Sequence, residues 1–179
     1  MSSQLKESLS MKKIIITCIF LVPLMISGCS LAKGDRGYTA GDLRATNHVK
    51  GIGINGFSVN GYHVHGLGGG YCCIMLPDKW TPDLKAHIEW EVDPDPYAIL
   101  PPLGTDEYRK AYAKHKANYQ QYSTTVDIPQ YGSKRCGLTV HFLPCHQVKV
   151  TTTCEAYGTP TYPIKEPENM EEPASCPAK

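Results

Sequence analysis

Six cysteines, Cys72, Cys73, Cys136, Cys145, Cys154 and Cys176, are the side chains of this sequence best placed to do chemistry. An even set in an oxidising compartment reads as disulfides, and six thiols allow 15 pairings. Adjacent Cys72 and Cys73 on a strand point to opposite faces, so they are expected to bond to different partners, or one stays free. The expected pattern joins Cys72 or Cys73 to the 136–154 region and uses Cys176 to hold the C-terminal tail. Zinc favours CxxC-type spacing, which does not occur here. His63-x-His65 alternates along an expected strand and turns two imidazoles one way, as in some metal sites. With no acidic residue or third histidine nearby in sequence, the two are read as a solvent-facing pair. His141 and His146 flank Cys145, but an oxidised cysteine is no nucleophile. Glu89 and Glu91 share a solvated strand face. Gly66–Gly70 lacks the Lys and Ser/Thr of a phosphate loop and precedes a strand, so it reads as a turn. There is no GxSxG elbow. The expectation is a protein without catalytic set, cofactor or metal, and not an enzyme.

The N-terminus offers a different reaction. Lys12 and Lys13 follow Met11, the run 14–26 is apolar apart from Thr17, and Ser27-Gly28-Cys29 comes next. Basic start, short apolar run and small residues mark a secretory signal, too short for the roughly 20 residues of a stable span. A cysteine directly after two small residues resembles a lipobox, in which the thiol is diacylated and Cys29 becomes the N-terminus. Residues 1–28 are therefore expected to be the signal, with Met11 a better start than Met1. Ser30, rather than Asp, after the lipidated cysteine favours the outer membrane, with the domain facing the periplasm. Two or three acyl chains make such an anchor effectively permanent.

Charge excludes other partners. Eighteen Lys and Arg stand against 17 Asp and Glu, so neither nucleic acid nor a polybasic membrane patch is indicated. Removing the signal leaves about 150 residues, one domain with a real core.

The elements that must position these residues are mostly strands. Residues 29–50 are polar and glycine-bearing and read as a lipidated tether, 51–154 as the globular domain, and 155–179 as a Pro/Glu-rich extended tail. Strands are expected from Gly51 to Val59, with a bulge or turn at Asn55-Gly56, then a turn at Asn60-Gly61 into Tyr62–His65. Further strands follow at 71–76, 84–92, 124–128, 137–143 and 147–153. Leu84, Ala86, Ile88, Trp90 and Val92 alternate with polar residues, the mark of a half-buried antiparallel strand. Trp80 and Trp90 read as core. One helix is expected over 106–121, capped by Thr105, with Tyr108, Tyr112, His115, Tyr119 and Tyr122 as a stripe against the sheet. The fold class is α+β: a mainly antiparallel β domain with one amphipathic helix, stapled by disulfides.

Phe57-Ser58-Val59-Asn60-Gly61-Tyr62, then Gly68-Gly69-Gly70-Tyr71-Cys72-Cys73, Leu76-Pro77-Asp78-Lys79-Trp80-Thr81-Pro82 and Val140-His141-Phe142-Leu143-Pro144-Cys145, resemble a family of small proteobacterial lipoproteins. Asp83 departs from its usual glycine. The likeness spans about residues 46–163. Members of that family stand beside type VI secretion lipase effectors and are regarded as immunity proteins. The resemblance implies a partner, the cognate phospholipase effector, neutralised by occluding its active site. The contact regions expected are the loops at Gly66–Gly70 (Gly68, Gly69) and Asp93–Leu103 (Tyr97, Ile99, Leu100). The alternative is a structural or envelope-maintenance lipoprotein with no toxin partner.

Overall fold

The computed structural model describes residues 37–67 and 70–177. It contains eight strands: β1 Tyr38–Asn47, β2 Gly53–Val59, β3 Tyr62–His65, β4 Tyr71–Pro77, β5 Lys85–Asp93, β6 Gln120–Asp127, β7 Gly137–Leu143 and β8 Gln147–Thr151. One helix, α1 Asp106–Lys116, lies between β5 and β6. The strands form two four-stranded sheets, ordered β4-β1-β7-β8 and β3-β2-β5-β6. Every pair is antiparallel except β1 with β7. This is the α+β, mainly antiparallel, disulfide-stapled class expected from the sequence.

The alternation along β5 does what its pattern promises: Ala86, Ile88, Trp90 and Val92 are buried, and Lys85, His87 and Glu89 are exposed. The two sheets meet through one core. Phe57 and Trp90 from one sheet pack against Phe142 of the other, with ring centroids 5.7 and 5.5 Å apart. Leu43, Ile88, Leu138 and Val140 are fully enclosed around them. Asn60 and Gly61, at φ 50° and 81°, form the primed turn that joins β2 to β3 with Val59 opposite Tyr62. The bulge is where it was expected, since the register shifts between Ile54 and Gly56.

Two expectations are corrected. The tether 29–50 contains β1, an inner strand hydrogen-bonded on both sides. Its polar sequence concealed this because flanking strands satisfy its backbone, while Leu43 alone is deeply buried. The helix stops at Lys116, not near 121, because β5 offers an open edge that pairs residue by residue from Val92–Gln120 to Lys85–Asp127. Tyr119 and Tyr122 thus leave the helical stripe, and no residue of α1 is fully buried. The tail 155–177 has no strand or helix, yet it docks: Tyr162 and Ile164 are buried and Met170 bridges Val49 in parallel.

The cysteine pattern is also corrected. Cys136 bonds to Cys154 and Cys145 to Cys176, with Cα–Cα distances of 4.9 and 5.4 Å, inside the range of unforced bridges. Cys176 does hold the tail. Neither Cys72 nor Cys73 reaches the 136–154 region; the two stay side by side on β4. Opposite Gly41 and Asp42 of β1 the register of β4 skips, so the pleat that would have separated neighbouring cysteines is broken there.

Candidate functional site

Two surfaces bring chemistry-bearing side chains together. The first is the loop between β5 and α1. Four prolines, Pro94, Pro96, Pro101 and Pro102, fix φ along it. Its base is pinned by Asp93, whose carboxylate takes a hydrogen bond from the Asp95 amide (2.9 Å) and meets His115 Nε2 of α1 at 2.9 Å. Both side chains of that pair are largely buried. At the far end Thr105 caps α1, accepting from the Tyr108 amide at 3.0 Å and donating to the Pro102 carbonyl at 2.8 Å. Tyr119 fits between this pin and the sheet, and burial, with Asp93 and Tyr112 alongside, pushes its phenol up to about 12. From this stiff frame Tyr97, Ile99 and Leu103 stand 84, 100 and 82% exposed. Leu100, expected to be exposed, is half-buried. It precedes Pro101, which favours an extended backbone, so it and Ile99 point different ways. Leu103 takes the third apolar place.

The second surface is the outer face of the sheet β3-β2-β5-β6, a groove of about 520 Å³. Strand pairing builds it in rungs. His63 lies opposite Ser58, which lies opposite Glu89, which lies opposite Ser123. The next rung runs His65, Gly56, Glu91, Gln121. Ser58 Oγ donates to Glu89 at 3.0 Å, while Asn55 and Gln121 donate to the two oxygens of Glu91 at 3.0 and 2.6 Å. The bulge that adds Asn55 to β2 is what places its amide there. His87 holds Thr125 Oγ1 through Nδ1 at 3.0 Å and presents Nε2 to Glu89 at 3.8 Å. No lysine or arginine lines the groove among the described residues. Sequence spacing missed this set, since 24 or more positions separate the histidines from the glutamates; only β2 lying between β3 and β5 brings them together.

A third cluster is interior. His48 and His141 are fully buried, with His48 Nε2 2.7 Å from His141 Nδ1 and His141 Nε2 2.7 Å from Tyr162 Oη. His48 Nδ1 lies 3.0 Å from the Pro167 carbonyl, which can only accept, so that nitrogen carries the proton. With a single proton on each ring the order of donors would run Tyr162 to His141, His141 to His48, and His48 to Pro167. Burial, then His48, pushes His141 down to about 4. These bonds link the residue that follows β1 to β7 and to the tail, so the trio works as a fastener.

Other sequence-picked residues have plain places. Trp90 is core, stacked on Tyr122 at 5.7 Å, and Trp80 Nε1 donates to the Ile128 carbonyl at 2.8 Å. Cys145 is bridged, and His146 stacks on Tyr122 at 3.8 Å. Cys29, the acylation candidate, and the loop residues Gly68 and Gly69 lie outside the described residues.

No curated protein and no solved structure matches this chain. A family model matches residues 46–150, more than half of the sequence, and takes in every rung of the groove and the whole proline-fixed loop. The chain belongs to that family, described as a protein of unknown function (DUF3304).

Proposed function

We propose that this protein is a lipid-anchored immunity protein, fixed through Cys29 to the periplasmic face of the outer membrane. It binds and neutralises a phospholipase delivered by type VI secretion. The observation that carries a binding role is the loop 94–104, whose Tyr97, Ile99 and Leu103 are exposed on a frame closed by the Asp93–His115 contact and the Thr105 cap. Large apolar side chains held ready in water bind without a further ordering cost, which is how a small interface becomes tight. A lipase mouth, itself apolar, is a complementary occupant. The resemblance of the sequence to immunity lipoproteins supplies the class of partner, and a disulfide-stapled domain suits the compartment where the two would meet.

Inhibitors of enzymes bury about 1,600 Å² in total, with a few aromatic and apolar anchors dominating. The test begins by seeking a lipase gene beside this one and pairs the protein with its product: co-purification, then survival of cells that express the lipase in their periplasm. A complex and rescue are expected from the wild type. Tyr97→Ala with Ile99→Asp should weaken the complex by about 2 kcal/mol or more, the size of an anchor, without moving the melting temperature. Absence of a complex at micromolar concentration, together with no rescue, defeats the proposal.

A further inference from the structure

We infer that the groove on the outer face of β3-β2-β5-β6 is a binding site for a borderline transition-metal dication such as Zn²⁺, held by His63, His65, Glu89 and Glu91. The inference is independent of the immunity reading and goes beyond it. Imidazole and carboxylate together are the donor set of zinc and its neighbours in the first transition row.

Three observations converge on it. The histidines and glutamates stand on two rails, β3 and β5, separated by the single strand β2. The residues of β2 between the rails, Ser58 and Gly56, are small and line the floor of the groove, Ser58 itself being almost fully covered by its neighbours. Strands about 4.8 Å apart put the rails roughly 10 Å apart, a gap that an imidazole, a glutamate and two metal–ligand bonds of about 2 Å span. Next, the carboxylates are unneutralised: the donors to Glu89 and Glu91 are a hydroxyl and two carboxamides, and no Lys or Arg lines the groove among the described residues. Two anionic charges oriented by neutral hydrogen bonds are what the outer shell of a metal site looks like. Finally, the imidazoles of His63 and His65 have no hydrogen-bond partner among the described residues and are exposed, so they are free to turn onto an ion. His87, by contrast, is committed to Thr125 and acts only by orienting Glu89.

Among the described residues the ligand atoms of Cys145, Glu172 and Cys176 alone gather within 4.8 Å of one another, whereas the side chains of the groove must turn to reach one ion. The two sulfurs of that cluster are bonded together and are not thiolates.

The experiment titrates the metal-free full chain with zinc chloride, following bound metal by equilibrium dialysis and the melting temperature by calorimetry. One zinc per chain is expected, with a rise in melting temperature as metal is added. The pair His63→Ala/His65→Ala and the pair Glu89→Gln/Glu91→Gln should each weaken binding at least about tenfold, as loss of ligands or their partners does elsewhere. All four positions are exposed or half-exposed, so the metal-free variants should melt like the wild type. Glu172→Gln should leave binding untouched. Absence of stoichiometric zinc overturns the inference. So does binding that ignores the glutamate pair, or binding that is lost with Glu172.

Discussion

His141 shows how much one buried side chain can couple this molecule to its surroundings. Its folded-state proton affinity is held down to about 4, against 6.5 for a free imidazole, by burial and by His48, with Glu166 opposing weakly. A histidine whose value falls on folding contributes nothing to pH dependence above 6.5, where it is neutral in both states. Below 6.5 the unfolded chain gains a proton that the folded one refuses, so stability falls as the pH drops. The loss continues until the folded value near 4 is passed. At 1.36 kcal/mol per unit the full loss is about 3 kcal/mol. Denaturant titrations at pH 7, 5.5 and 4 should show this decline in the wild type. Tyr162→Phe removes the donor to His141 Nε2 and should cost about 1–3 kcal/mol at neutral pH. A flat stability profile from pH 7 to 4 would show that His141 is not buried in neutral form. The sequence contained no sign of this trio, because 93 positions separate His48 from His141.

At the scale of elements, legibility followed local pattern and failed where neighbours decide. β5 and β7 could be read because their apolar residues repeat at the period of their own backbone. The β2–β3 hairpin could be read because Asn60-Gly61 adopts positive φ at little cost. β1 could not: its sequence has no alternation, and its identity as an inner strand resides in β4 and β7. The end of α1 was overrun because tyrosines at 112, 119 and 122 keep a helical spacing while the chain has already turned to pair with β5. The groove was half legible. His63-x-His65 was seen as one-sided, and so were Glu89 and Glu91, but sequence order says nothing of which strands become neighbours. One residue secures the parallel pair β1–β7. Gly137 has φ 92°, and a Cβ there would lie 2.0 Å from the Asp42 carbonyl oxygen, with Gly41 also within contact. Backbone cannot yield as a side-chain tip does. Gly137→Ala should therefore destabilise by more than about 3 kcal/mol or abolish folding, whereas Gly132→Ala, with open space around it, should be near neutral. Equal stability of the two variants in urea would refute the close approach.

For the whole molecule, the bridges and the tail decide how much stability a modest core must supply. The Cys136–Cys154 bond closes 18 residues and the Cys145–Cys176 bond 31. In the chain-entropy model these contribute about 3 and 4 kcal/mol, against totals of about 5–15 for a domain. Peptide mapping of oxidised protein should recover both bonds, and reduction should lower the denaturation midpoint sharply. Recovery of free thiols at 136, 145, 154 and 176 would overturn the pairing. The tail adds long-range ties of its own: Lys50 to Glu171 at 2.6 Å, Met170 paired with the His48 backbone, and the Cys145 amide donating to Glu172 at 2.9 Å. These ties have a consequence for biogenesis. The ribosome makes β1 early, yet its parallel partner begins at Gly137, and the contacts that close over His48 and Lys50 arrive about 120 positions after them. The sheet around β1 is therefore completed only after β7 has been made, since contacts so distant in sequence reward the chain late. That sheet and the tail over His48 are thus the last parts of the fold to close, after the β2–β3 hairpin and its pairing with β5, whose partners lie close in sequence.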